Sequence, residues 1–326
     1  MEIKNLAPSL NIDLNLKSIR DGVGFALLSQ APKHENLYVL TADLRESVRV
    51  EEFAKKYPQK FIECGVAEQN MAGIAAGLAL CGNTAVITSF AVFSPGRNWD
   101  QIRVSICYSK TDVKIIGGHA GLLTGEDGAT HQALEDIAIM RSLPEMTVIN
   151  PCDFNQSIKA IEFSLSHKGP VYIRSYREKT LQITTPETEF IPHNPQILKE
   201  GNDLTIISSG PIIAEVLQTV SELEEKHNIS VELINLPFIK PLNPEKIIQS
   251  LRKTKKGVVI EEHQISGGIG SAVLEKISEY ENYPVKLIGI NNTFGESGNS
   301  KDLYNKYEIS SPHQVKKILN FLDRIN

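Results

Sequence analysis

The segment GVAEQNM, residues 65–71, places Glu68 directly before a run of small residues, Ala72-Gly73-Ile74-Ala75-Ala76-Gly77-Leu78-Ala79. That run predicts a closely packed helix with an acid at its mouth. A carboxylate in apolar surroundings needs a partner or takes up a proton. Held there, it can trade a proton with a ring nitrogen. An acid also suits the first turn of a helix, at the positive end of the helix dipole, so Glu68 alone leaves both readings open. Phe90 and Phe93, in TSFAVF, follow a strand-like run. They could form a slot for a flat heteroaromatic ring, or pack in an ordinary core. The glycine-rich stretch 117–132 carries His119, Glu126, Asp127 and His131. Histidines there can donate hydrogen bonds to sugar oxygens or move protons, or the stretch is a solvated polar loop. Arg174 and Arg177, in VYIRSYREK, carry planar forks that suit a phosphate or a surface ion pair. Arg20, with Asp43 and Ser47 further on, offers a second part of a phosphate grip.

Only a fold that gathers distant loops can bring these residues together. Short β-branched runs at 37–40, 85–88, 113–116, 147–149 and 171–173 alternate with helical patterns, such as 154–165 behind an N-cap at Asp153. Such alternation predicts a parallel sheet covered on both faces, with ligands at the carboxyl ends of its strands. Residues 180–202, TLQITTPETEFIPHNPQILKEGN, break the rhythm. A second alternating block follows, with strands at 204–207, 231–234, 258–260 and 285–288 and helices near 212–226, 243–252, 270–280 and 312–323. The expected fold class is α/β, in two consecutive domains, each with a mostly parallel sheet flanked by helices. The domains are expected over residues 1–182 and 203–326, joined by a linker at 183–202.

The 326 residues suffice for about two domains with separate cores. Apolar content of 41% and charged content of 22% are those of a globular protein. The net charge of −5 argues against a nucleic-acid binder, which should be basic. The basic run 252–256 reads as a solvated helix end. No apolar run is long enough for a membrane span, and the first residues show no secretory signal pattern. Cys64, Cys81, Cys107 and Cys152 have no CxxC spacing. The first three sit among apolar or small residues and read as buried free thiols, which predicts a cytoplasmic protein. No histidine cluster has zinc-site spacing.

Taken in order, GVAEQNM, the SFxxF pair, GEDGATHQ followed by RSLPEMTVINP, and VYIR resemble the C-terminal half of a transketolase. The resemblance covers nearly the whole chain, as a pyrimidine-binding domain followed by the C-terminal domain. It implies that Glu68 hydrogen-bonds the aminopyrimidine of thiamine diphosphate and drives the tautomer that activates the thiazolium carbon. It implies that Phe90 and Phe93 pack against the pyrimidine. His119, Asp127 and His131 would contact the sugar's hydroxyls and carbonyl, with both histidines acting in catalysis. Arg20, Ser47 and Arg177 would bind its terminal phosphate. Strand alternation turns Arg174 toward the side of Tyr176, away from Arg177.

Two departures stand out. Beyond the second Phe, where full-length transketolases often carry another aromatic, this chain has Ser94-Pro95-Gly96. The family's metal and diphosphate motif, GDG followed by an Asn, is not found; Gly125-Glu126-Asp127-Gly128 belongs to the substrate loop. The chain is therefore expected to hold no metal itself. The cofactor's diphosphate and its Mg2+ or Ca2+ are expected on an N-terminal transketolase subunit, in an α2β2 assembly. The expected reaction is transfer of a two-carbon ketol unit from a ketose phosphate to an aldose phosphate, with pentose phosphates and rarer branched sugars both open. Half of a 1-deoxyxylulose-5-phosphate synthase, a 2-oxo-acid dehydrogenase β subunit, and an inactive partner of the same fold are the alternatives. Asp127 before His131 favours a sugar hydroxyl that pyruvate lacks. The C-terminal domain, with Glu261-Glu262-His263 and the loop 295–298, is expected mainly to support the dimer.

Overall fold

The computed structural model describes residues 10–325. Its strands in the first half are β1 (Leu10–Ser18), β2 (Leu37–Thr41), β3 (Phe61–Glu63), β4 (Thr84–Phe90), β5 (Val113–Gly118), β6 (Thr147–Ile149), β7 (Val171–Arg174) and β8 (Lys179–Thr184). Those of the second half are β9 (Gln196–Lys199), β10 (Leu204–Ser208), β11 (Val231–Asn235), β12 (Phe238–Lys240), β13 (Gly257–Gln264) and β14 (Val285–Ile290). The first sheet runs β12-β6-β7-β5-β4-β2-β3, the second β14-β13-β10-β11-β9. Only β12 against β6 and β9 against β11 are antiparallel within them. β1 and β8 form a separate antiparallel ribbon. The chain is thus two consecutive α/β domains.

Both faces of the first sheet are covered, which is why its central strands are apolar without a break. Every residue of β4 and β5 is buried. In β4, Val86 packs with the helices Ile19–Gln30 and Phe154–Ser166, while Ala85 and Ile87 pack with the helix Glu68–Leu80. Each buried Val or Ile contributes about 1.5–3 kcal/mol. A one-residue slip would exchange the two faces, so the register is strongly fixed. The helix Glu68–Leu80 buries Met71, Ala72, Ala75 and Ala76 against the sheet. Their small side chains let it lie close. Gly73 and Gly77 face outward with open space beyond them, between exposed Val66 and Leu80.

Several features differ from the sequence expectation. Residues 183–202, expected as a linker, contain the end of β8 and all of β9, which hydrogen-bonds β11. The chain also crosses back: β12, from the second half, extends the first sheet beside β6. Phe238-Ile239-Lys240 is too short to be read as a strand from its pattern alone. Cys81 is exposed, not buried, because it ends a helix just before Gly82, whose φ of 87° turns the chain. Cys64 is half-buried, and Cys107 and Cys152 are buried. Among the described residues no helix is long and apolar enough to cross a membrane.

The two sheets meet over a buried polar junction. Arg174, at the end of β7, is 1% exposed. It donates to Asp136 at 2.9 Å, to the Tyr176 hydroxyl at 2.7 Å, and to the carbonyls of Ala133 and Glu262 at 3.0 Å each. Tyr172 also donates to Asp136, at 2.6 Å. Removing one partner of such a pair typically costs ~3–5 kcal/mol, since the other charge is left alone in the core. Beside it on β13, burial pushes Glu261 up to about 8 and Glu262 up to about 7, and pushes His263 down to about 4. Glu261 accepts the N–H groups of Ile269 (2.6 Å) and Gly270 (3.1 Å) at the start of the helix Ile269–Ile277.

These shifts have a consequence for stability. A carboxyl with a raised pKa keeps its proton in the folded chain where the unfolded chain has lost it. The contribution of Glu261 and Glu262 is whole below their ordinary 4.5 and is lost as pH rises through about 7 and 8. His263 is depressed, so its contribution is whole above 6.5 and is lost as pH falls toward about 4. Between pH 6.5 and 8 only the loss with rising pH remains. Thermal melts are expected to show Tm falling across that window, with a smaller fall in Glu262→Gln; a Tm that rises there would contradict the assignment.

Candidate active site

The loops that leave the carboxyl ends of β2, β3, β4, β5 and β7 emerge on one edge of the first sheet, where open α/β sheets bind ligands. They carry Ser47, Glu68, Phe93, His119 with Asp127 and His131, and Arg177 respectively. Phe90 is the last residue of β4. Arg20 joins them from the first turn of the helix Ile19–Gln30, which begins at an N-cap formed by Ser18.

Glu68 is the first residue of its helix and is 1% exposed. Its carboxylate does not cap that helix. Oε2 instead accepts from Arg97 at 2.6 Å. Asn98 steadies the segment, donating to the Glu68 carbonyl and to the Ser94 hydroxyl, both at 3.1 Å. The Arg97 guanidinium also lies over the Phe93 ring, 4.7 Å from its centroid. Phe93 and Phe90 are stacked, 6.0 Å apart and 18° between planes. A flat, cationic group with N–H donors therefore already fits between the Glu68 carboxylate and the face of Phe93. An aminopyrimidine is also flat, also carries N–H donors, and also stacks on aromatic rings, so these residues fit that end of thiamine diphosphate. Sequence reasoning missed Arg97. The one available signal was a lone cation shortly after the aromatic pair.

The histidines pack around the same aromatics. His119, at φ 51°, has its ring centroid 3.8 Å from that of Phe90. His131 presents its ring edgewise to Phe90 at 5.9 Å and Phe93 at 5.4 Å, and its Nδ1 lies 2.8 Å from the Thr130 hydroxyl. Burial first, then the charges of Arg20 and Arg177, push His119 down to about 3, so its ring is neutral at pH 7. Its Nε2 lies 3.5 Å from Arg20 Nη1, which can only donate. Nε2 is therefore the acceptor and Nδ1 carries the proton. Nδ1 is buried and has no protein partner, which leaves one N–H to be met by a ligand oxygen.

Arg20 donates to the Ser47 carbonyl at 3.1 Å. Burial and then the nearby Arg49 lower its pKa. Arg177 is 34% exposed, donates to the Thr124 carbonyl at 3.1 Å, and pairs with Asp127 at 3.3 Å. Asp127 thus faces an arginine in this structure. Arg49 pairs with Asp21 at 2.8 Å. Arg20, Arg49 and Arg177 all bear on His119. Sequence reasoning did not single out Arg49, which carries no periodic signal. Its backbone, at φ 65°, is held in a conformation that few side chains adopt. Guanidiniums gathered this closely repel one another, and an anion relieves that repulsion. Arg174 lies apart, in the domain junction with Tyr176, on the side that strand alternation predicts. Among the described residues, no group of three or more His, Cys, Asp or Glu side chains is placed to hold a metal ion.

Comparison with known proteins assigns the family. Residues 17–182 match the transketolase pyrimidine-binding domain, and residues 194–313 match the transketolase C-terminal domain. The chain is 43% identical over 307 residues to a putative transketolase C-terminal section of Methanocaldococcus jannaschii, covering 93% of this chain and 96% of that one. It is 35% identical over 308 residues to a 6-deoxy-6-sulfo-D-fructose transketolase subunit of a Clostridium species, covering 94% and 95%. A solved structure described as a split-gene transketolase, inactive β4 tetramer, matches with a TM-score of 0.87 and 38% identity over 94% of this chain and 98% of that one. The chain belongs to the transketolase family and comprises its pyrimidine-binding and C-terminal domains.

Proposed function

We propose that this chain is the C-terminal subunit of a thiamine-diphosphate-dependent transketolase that moves a two-carbon ketol unit from a ketose phosphate to an aldose phosphate. The observation that carries the reading is the slot between Glu68 and Phe93, filled by the planar Arg97 guanidinium. Thiamine diphosphate, when bound, supplies the nucleophilic carbon that the ketol transfer needs. Glu68 shares a proton with a ring nitrogen, and its burial keeps water from competing for that proton. Phe90 and Phe93 hold the ring by its face. His119 donates its Nδ1 proton to a substrate oxygen. His131, at the rim of both phenyl rings, moves a proton to or from the sugar. Arg20, Arg49 and Arg177, with Ser47, take the anionic end. Asp127 exchanges Arg177 for a sugar hydroxyl.

The cofactor's diphosphate and its Mg2+ or Ca2+ belong, on this reading, to a separate N-terminal subunit in an α2β2 assembly. Two findings support this. Relatives described as a C-terminal section and a subunit match almost end to end. A β-only tetramer of the family is described as inactive. The outward glycines Gly73 and Gly77, with exposed Val66 and Leu80, offer the partner a close approach beside Glu68. The Clostridium relative is described as acting on a sulfo-sugar. A sulfonate and a phosphate are both terminal anions that guanidiniums recognise, and we favour a sugar phosphate here. Buried free thiols at Cys107 and Cys152 suit a reducing cytoplasm.

The isolated chain is expected to bind thiamine diphosphate weakly and to show no turnover, and adding a partner with the GDG and Asn motif should restore ketol transfer. Tight, metal-dependent cofactor binding by the chain alone, measured by calorimetry, would sink the two-subunit reading. In the complex, Glu68→Ala is expected to lower turnover by about 10²–10⁴ with an unchanged melting curve, since it removes one proton-transfer group. Near-normal turnover would take Glu68 out of the mechanism. Arg177→Ala is expected to raise KM for a phosphorylated sugar about tenfold or more, by losing a charge-assisted contact, with kcat little changed. An equal loss with the unphosphorylated sugar would place Arg177 outside the anion site.

A further inference from the structure

The loop that carries His119, Asp127 and His131 belongs to the first domain, but its shape is held from the second. Glu262 on β13 is 2% exposed. Its Oε1 accepts the N–H of Leu123 at 2.9 Å, and its Oε2 accepts the hydroxyl of Tyr304 at 2.7 Å. The approach is built into the loop. A Cβ on Gly121, which sits at φ 70°, would come within 2.2 Å of Glu262 Oε1. Only glycine satisfies both the backbone conformation and the contact. The loop's far end is tied to the same residue, because Arg174 donates to the carbonyls of both Ala133 and Glu262 at 3.0 Å. Within the loop, Gly121 donates to the Ala133 carbonyl at 2.8 Å, and the Thr124 hydroxyl donates to the His119 carbonyl at 2.5 Å. Gln132 bridges Gly125 of the loop and Glu296 of the second domain, at 3.0 and 2.9 Å. His119 and His131 are thus the two ends of a loop whose middle is gripped by one carboxyl group from the other domain.

We propose that Glu262, braced by Tyr304, is a positioning residue that sets the geometry of the sugar-binding loop, so that the C-terminal domain governs sugar affinity as well as assembly. An apolar side chain could not replace it, since the Leu123 N–H would be left unpaired in the core. A glutamine could. Its carbonyl can accept from Leu123 and its amide can donate to the Tyr304 oxygen.

The inference rests on reading the loop 119–132 as the sugar-binding loop. The first arm of its test needs neither partner nor cofactor nor sugar, so its failure is separate from the failure of that reading. In amide hydrogen exchange on the full chain, Glu262→Ala is expected to speed exchange at Leu122–Thr124 by about 10- to 100-fold, with β10 and β11 unchanged. Glu262→Gln should exchange as the wild type does. Unchanged exchange in Glu262→Ala would overturn the latch. Should that variant not fold, Tyr304→Phe is expected to speed the same amides by a smaller factor, and no change there would overturn it equally. In the complex with the diphosphate-binding subunit, assayed with a ketopentose phosphate as donor, Glu262→Ala is expected to raise KM more than it lowers kcat. Cofactor affinity should be untouched, and Glu262→Gln should restore KM. A loosened loop with an unchanged KM would make Glu262 purely structural and defeat the proposal.

Discussion

One enclosed guanidinium sets the terms for the rest of the molecule. Arg174 cannot stay charged in a protein interior unless its donors are met. They are met by Asp136 at the start of one helix, by Tyr176 on its own loop, by the Ala133 carbonyl at the end of the histidine-bearing loop, and by the Glu262 carbonyl in the second domain. The partners come from three stretches of the chain: residues 133–136, the loop after β7, and β13. Satisfying one side chain therefore fixes the end of β7, the base of the loop and the seating of the second sheet together. The buried carboxyls of Glu261 and Glu262 follow from the same geometry, since they flank a junction that already excludes water.

Glu68 poses a similar problem and meets it differently. Its carboxylate is as deeply buried as Asp136, but its partner Arg97 has a side chain 47% exposed. Breaking a pair shielded on both sides strands both charges, whereas an arginine that is half exposed can hand its own charge to water and leaves only the carboxylate to be met by a new donor. The Arg174–Asp136 pair is therefore structural, and the Arg97–Glu68 pair is exchangeable. A ligand that offers Glu68 a better donor and Phe93 a better stacking face can replace Arg97 at small cost. The junction and the slot lie on one sheet, so rigidity at the first holds the shape of the second.

Much of this was legible in the sequence. Alternating apolar runs and helical periods are enough to read two parallel-sheet domains, because a strand buried on both faces has to be apolar along its length. The ordered series from Glu68 to Arg177 could be picked out by its resemblance to the family's motifs, and its members lie at or beyond strand ends, with Arg20 before them at a helix start. Pairings between distant residues were not legible. Nothing near Arg97 in the chain points to Glu68, and nothing near Asp136 points to Arg174. The crossing of β12 into the first sheet and the strand inside the expected linker were hidden for another reason. Both are short edge strands with antiparallel partners, and their residues carry no period of their own. Glu261-Glu262-His263 looks catalytic by composition, yet its contacts run to backbone N–H groups and to Tyr304, which only a structure reveals.

What meets the Glu68 carboxylate in the working assembly decides the mechanism. The most direct measurement is a crystal structure of this chain with its diphosphate-binding partner and thiamine diphosphate. A pyrimidine nitrogen is expected within hydrogen-bond distance of Glu68 and the ring against Phe93, with Arg97 withdrawn from that face. A cofactor ring bound elsewhere, with Glu68 still paired to Arg97 alone, would contradict that mechanism.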